Sequence, residues 1–132
     1  MKWILFFGAL LLACNRQNTY NAFLRSCNHV DIVVYNGGDT LHFDTQDSTG
    51  IRILSGQISG SGTVKDTCAA QGLLRFRQDS VVLLEAPFAV SAGKNNPACN
   101  YVAYTHDDAG HVQGLSDRAR KLLHTVVQRA GE

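Results

Sequence analysis

The apolar residues fall into short runs separated by turn-forming residues, with one helical stripe at the end. Val30 to Tyr35 reads as a strand and Thr40 to Thr45 as its partner, joined across Asn36-Gly37-Gly38-Asp39. Asn-Gly is a strong hairpin signal, because a type I′ turn needs positive φ at both central residues. An Asn36-Gly37 loop pairs Ile32 with Leu41, Val30 with Phe43 and Asp31 with His42. A Gly37-Gly38 loop instead opposes Asp31 to Asp44, which is repulsive, so cross-strand electrostatics favours the first register.

Ile51 to Leu54 fits another strand or a short helical turn. Ser55 to Gly62 is rich in Gly and Ser and reads as a flexible stretch, with a short strand around Ile58 as an option. Val64 to Cys68 leads to a turn at Ala70-Gln71-Gly72. Leu73 to Arg77 and Ser80 to Ala86 form a hairpin around Gln78-Asp79. Val81 to Leu84 is apolar on both faces, which predicts a central strand. Pro87 ends or kinks it, and Phe88 to Ser91 continues as a further strand. Ala92 to Ala98 is the longest polar loop. Cys99 to Thr105 is a strand that pairs with His111 to Gly114 across Asp107-Asp108-Ala109-Gly110.

Ser116 then makes a good N-cap, with Asp117 well placed against the helix dipole. Leu115, Ala119, Leu122, Leu123, Val126, Val127 and Ala130 form one apolar stripe before Gly131. Tyr20, Phe23, Leu24 and Cys27 recur at helical spacing, so a short amphipathic N-terminal helix is expected, with Tyr20 and Phe23 packing into the core or, as the alternative, dipping into the membrane interface. The stripe needs a sheet to cover. The expected fold is α+β, a mainly antiparallel sheet of about six or seven strands packed against the C-terminal helix.

The first residues follow a different pattern. Met1-Lys2 is a short positive start, and Trp3 to Leu12 is an apolar run broken only by Gly8. Ten residues of helix rise about 15 Å, roughly half a bilayer core, which suits a signal-peptide core and not a span. The run ends Leu11-Leu12-Ala13-Cys14. Leu11 is too large for ordinary signal peptidase, but these four residues resemble a bacterial lipobox. The resemblance implies a signal peptide at 1–13, diacylglycerol and an amide-linked acyl chain on Cys14, a tether over 14–19, and one domain over 20–132. It also implies an extracytoplasmic, membrane-anchored location. Asn15 is not the Asp that retains such proteins at the inner membrane, so the outer membrane is expected where the host has two.

Composition changes this picture little. Twelve basic and eleven acidic residues give a net charge of +1 over 132 residues. Lys2 leaves with the leader, so the mature chain carries eleven of each. Neutral charge and an envelope address argue against nucleic-acid binding. With Cys14 lipidated, Cys27, Cys68 and Cys99 allow three single bridges and always leave one thiol. Cys68 and Cys99 both lie beside turns of the sheet. The stretch from Cys68 through Gly72 and Phe76 to Cys99-Asn100-Tyr101 is similar to small bacterial lipoproteins of unknown function, a likeness that covers the C-terminal half and implies no activity. A Cys68–Cys99 bridge is favoured, with Cys27 as a buried free thiol.

Candidate chemistry is sparse. His106, His111 and Asp108 flank one turn and make a candidate metal site, set against a plain solvated turn. His42 opposite Asp31 reads first as a cross-strand pair, with His29 and Asp44 nearby. Ser59-Gly60-Ser61-Gly62 lacks the spacing of a nucleophile elbow, and Gly93-Lys94 has Phe88 where a phosphate loop needs Gly. Glu85 ends an apolar strand and is a candidate for partial burial. Arg118, Arg120, Lys121 and Arg129 lie off the helix stripe as a solvated face, or as a basic face toward anionic lipid. No catalytic constellation and no cofactor motif stands out. The expectation is a monomeric, non-enzymatic envelope protein that binds a protein partner, inhibitor- or immunity-like. The alternative is a ligand- or metal-binding envelope protein using His42, His106 and His111.

Overall fold

A computed structural model describes residues 22–60, 64–92, 96–106 and 108–131. The expected leader, Cys14, Tyr20, Ser61-Gly62, Gly93-Lys94 and Asp107 lie outside the described residues. Strands β1 (His29–Asn36), β2 (Asp39–Thr45), β3 (Gly72–Gln78), β4 (Val81–Ala89), β5 (Tyr101–His106) and β6 (Ala109–Gly114) form one sheet in the order β2-β1-β3-β4-β5-β6. Every pairing is antiparallel. Helices α1 (Ser48–Ser55) and α2 (Asp117–Ala130) supply Leu54 and Leu123 to the core, which they share with Val30, Phe76, Phe88 and Val102. The fold is therefore α+β, an antiparallel sheet with the C-terminal helix on one face.

Alternation along each strand decides which side chains reach this core. Val30, Ile32 and Val34 of β1 face the helices, as do Leu74 and Phe76 of β3, and Leu74 and Phe76 are wholly buried. In α2 the Ser116 side chain accepts a hydrogen bond from the Ala119 amide, as an N-cap should. Ala119, Leu123 and Ala130 are buried along the expected stripe. The far end of α2 is tied to β1, where the Asn36 side-chain amide donates to the Ala130 carbonyl at 3.0 Å. Ile51 to Leu54 is helical within α1, capped by Asp47, whose carboxylate accepts from the Gly50 amide at 3.1 Å. At the N-terminal side, among the described residues, Phe23 and Leu24 lie in a single 3-10 turn, Ala22–Leu24.

The β1–β2 register differs from expectation. Asn36 pairs with Asp39 around a Gly37-Gly38 loop, and Asp31 lies opposite Asp44. Gly37 has φ 63° while Gly38 has no positive φ. A type II′ turn needs positive φ only at the first central residue, so Gly37 satisfies it and Asn36 can stay in the strand. The two registers differ by two residues, which keeps every side chain on its face; apolar pattern alone cannot separate them.

The repulsion is answered from β3. Arg77 Nε donates to Asp31 Oδ2 at 2.7 Å and Arg77 Nη2 to Asp31 Oδ1 at 3.0 Å. The same Nη2 lies 3.8 Å from Asp44 Oδ1, and His29 Nδ1 lies 3.5 Å from Asp44 Oδ2. This forked geometry is the strong form of a guanidinium–carboxylate contact. The hydrogen bond that Asp31 accepts from it raises Arg77 above the usual guanidinium range, against a smaller opposing effect of burial. His42 consequently sits opposite Val33 and not opposite Asp31.

Ahead of β3, residues 64–71 meet β6 and the turn before β5. The Val64 amide donates to the Val112 carbonyl at 2.9 Å, and the Cys68 amide to the Ala98 carbonyl at 2.9 Å. Tyr101 Oη donates to the Cys68 carbonyl at 2.7 Å. The Cys68–Cys99 disulfide closes this strap with Cα atoms 5.0 Å apart. At Gly72 the strap becomes β3, and an added Cβ there would lie 2.2 Å from the Val33 carbonyl oxygen, so only Gly fits. Gln57 and Ile58 are buried, which corrects the flexible reading of this stretch. The Ser59 amide donates to Gln113 Oε1, and the Gly60 amide to Tyr104 Oη at 2.6 Å.

Replacing Arg77 by Met should lower the urea midpoint by stranding Asp31 beside Asp44, and adding Asp44→Asn should recover most of that loss. Equal midpoints for wild type and Arg77→Met would contradict the register argument. Reduction of Cys68–Cys99, with a sequence separation of 31, should cost about 3 kcal/mol of unfolding free energy, read as a reductant-dependent fall in Tm.

Candidate functional site

The face away from the helices has two distinct halves. Over β1–β3 it carries the ion cluster of His29, Asp31, Asp44 and Arg77, which is spent on register. Over β4–β6 it carries a groove of about 620 Å³ lined mainly by Val82, Leu83, Pro87, Ala103 and Val112. The groove exists because the β4–β5 ladder holds only two pairs, Phe88–Val102 and Ala89–Tyr101. β3 stays paired to β4 for its whole length, and β5 to β6.

Pro87 explains where the ladder stops. The Phe88 carbonyl accepts from the Gln71 amide on the β3 side. By strand alternation the backbone of Pro87 then faces β5, where it has no N–H to give. Beyond it the Glu85 backbone also faces β5, with no strand pairing between them. Pro87 thus kinks nothing in β4, which runs through it to Ala89, but it ends the pairing on the other edge.

The same opening changes the environment of the strand that sequence made central. β4 is central in strand order, yet Val81 is 60% exposed and Val82 45% exposed. These are two of the three large exposed apolar side chains among the described residues, the third being Tyr35. Glu85 is exposed and not buried as expected; its carboxylate accepts from Arg75 Nε at 3.2 Å. Nothing in the local sequence signals the opening except Pro87, which reads equally as a strand end.

The other candidates are dispersed. His42 is on β2 at one edge of the sheet, and His106 and His111 are on β5 and β6 at the other, so the three share no site. The His106 ring stacks on Phe23 with centroids 4.3 Å apart, and the His111 ring stacks on Tyr104 at 5.3 Å. Among the described residues no group of three His, Cys, Asp or Glu is placed to hold a metal. Cys27 is a free thiol whose Sγ–H donates to the His29 carbonyl at 3.2 Å, and burial pushes its pKa up, which suits an inert thiol.

The basic face of α2 is smaller than expected. Arg120 is buried, with Nη1 donating to the Ala92 carbonyl at 2.9 Å and Nη2 to Asp117 at 3.0 Å. Its long stem follows the apolar stripe while its head satisfies the carbonyls after β4. Lys121 lies 3.2 Å from the same Asp117. Asp117 is held below the usual carboxylate range by Arg120 first and Lys121 second. A depressed carboxylate stabilises above its unfolded pKa, and that contribution is lost as pH falls through the folded value.

Comparison with protein-family models, with curated proteins and with solved structures gives no match. Among the described residues no helix is long and apolar enough to cross a membrane. Replacing Val81 and Val82 together by Lys should leave unfolding free energy within about 1 kcal/mol of wild type, since exposed positions tolerate charge. A loss of several kcal/mol, measured by urea denaturation, would mean that the strand is covered in the isolated protein.

Proposed function

We propose that the chain is a lipid-anchored cell-envelope protein whose domain binds another protein and does not catalyse a reaction. The observation that carries this reading is Leu11-Leu12-Ala13-Cys14 at the end of the apolar run that follows Met1-Lys2. Lipid on Cys14 holds the domain close to the membrane, because the tether to Thr19 reaches at most about 17 Å. The Cys68–Cys99 disulfide supports an oxidising, extracytoplasmic compartment. With Asn15 after the lipidated cysteine, the outer membrane is the destination in a two-membrane host.

Support for a binding role comes from the β4 surface. An exposed apolar strand bordering an open groove is what a protein-binding module presents, and small inhibitor- or immunity-type lipoproteins share this general build. That is an argument from architecture and surface, and the partner is an envelope protein within reach of the tether.

The anchor is tested by Cys14→Ala. Labelled fatty acid should be lost and the protein should move from the membrane to the soluble fraction. Membrane association that stays unchanged with no label in either form would sink the assignment. Cross-linking of the native protein in membranes should then recover one envelope protein reproducibly, and Val82→Lys should abolish that product.

A further inference from the structure

We infer that Asn36 is a site of spontaneous deamidation, and that losing its side-chain amide releases the C-terminal end of α2 from β1. Asn36-Gly37 is the single Asn-Gly pair of the chain. In such a pair the glycine backbone nitrogen can reach the asparagine side-chain carbonyl carbon, because no Cβ on the second residue restricts the approach. The observed register adds to this. It leaves Asn36 at the exposed end of β1 and puts Gly37 first in the loop, at φ 63°. Among the described residues, a Cβ added at Gly37 or at Gly38 would meet nothing within 4 Å, so the turn has room to rearrange.

The chemistry needs only water. The Gly37 nitrogen bonds to Asn36 Cγ, the Cγ–Nδ2 bond breaks, and Nδ2 leaves as ammonia with the proton of the Gly37 amide. Water then opens the cyclic imide at one of its two C–N bonds. Opening on the side-chain side leaves an aspartyl residue at position 36, and opening on the main-chain side leaves an isoaspartyl residue. Asparagine plus water becomes an acid plus ammonia, with no change of oxidation state.

The atom that leaves gives the reaction its consequence. Nδ2 is the donor that ties Asn36 to the Ala130 carbonyl at 3.0 Å, and Ala130 is the last residue of α2. Tie and reaction compete for one nitrogen. Conversion therefore proceeds while the last turn of α2 is frayed, as helix ends are from time to time. Afterwards the tie has lost its donor and cannot re-form. The new carboxylate opposes redocking in two further ways. It faces the negative end of the α2 dipole. It also stands opposite Asp39, whose Cα is the partner of Asn36 in the hairpin, and like charges so placed repel. A neutral latch thus becomes a charged one that pushes the helix end away, and the change is one-way.

The test is incubation of the full chain at mildly alkaline pH, followed by peptide mapping and amide hydrogen exchange. Asn36 should be the first asparagine to convert, to aspartate and isoaspartate, while Asn28 and Asn100 stay intact. In the converted protein the Gly131 amide, which donates to the Val127 carbonyl at 3.2 Å, should exchange about fivefold faster, the effect of one lost hydrogen bond. Asn36→Asp should show that faster exchange without incubation, and Asn36→Gln should remain unconverted. The position is exposed, so both variants keep the fold, and unchanged exchange at the buried Leu74 and Val102 checks this. If Asn36 is intact when a free peptide spanning Tyr35–Thr40 has converted completely, the site is overturned. If conversion leaves exchange at the end of α2 unchanged, the release is overturned. Neither result touches the lipid or partner experiments, so the two readings fail separately.

Discussion

The contact on which the sheet depends is Arg77 reaching from β3 across β1 to the two carboxylates of Asp31 and Asp44. Three strands meet at that point. Moving β2 by two residues, as an Asn36-Gly37 turn requires, replaces Asp44 by His42 beside Asp31 and leaves the guanidinium with one acid where it now has two. The same residue anchors the neighbouring turn, for Arg77 Nη1 donates to the Asp79 carbonyl while Asn28 bonds both the amide and the carboxylate of Asp79. Asp79 has φ 54°, a left-handed value, and these contacts hold it there. Charge at one spot thereby sets register in the β1–β2 and β1–β3 pairs and fixes the β3–β4 hairpin.

Elements governed by local pattern were readable in the sequence. The α2 stripe, its Ser116 cap, the Leu73–Arg77 hairpin arm and the pairing of β5 with β6 all follow from residues close together in the chain. The β1–β2 register was not readable, because a pairwise electrostatic argument on a hairpin omits the third strand. The two acids repel only until an arginine more than thirty residues away is placed between them. Arg120 was misread for a related reason. A charged residue off the apolar stripe is normally solvated, but its partners are the Ser91 and Ala92 carbonyls, which only the tertiary fold brings under the helix.

The β4 strand shows a conflict between two local rules. Continuous apolar character asks for burial on both faces, while Pro87 removes the donor that would extend the β5 ladder. In the observed fold the proline prevails on one edge and the hairpin with β3 prevails on the other. Apolar surface is left at the point where the sheet parts. An isolated exposed valine needs no explanation, but two in succession beside an edge unpaired among the described residues are a defined surface with a direction and a depth.

The two sides of the sheet therefore differ in how fully the fold satisfies them. On the helix side, Gln113 illustrates complete pairing. Its carbonyl accepts from Tyr104 Oη at 2.5 Å and its amide donates to Ser59 Oγ at 3.2 Å. On the other side, the tie is made at the N-terminal end of β5, where the Tyr101 hydroxyl donates to the Cys68 carbonyl and the Cys68–Cys99 disulfide holds the same point covalently. Tyr101 is also the residue that pairs with Ala89, so the covalent tie falls on the part of β4–β5 that is already hydrogen-bonded. The exposed Val81 and Val82 lie at the opposite end of β4, where the groove opens, and their apolar surface is satisfied by none of these contacts.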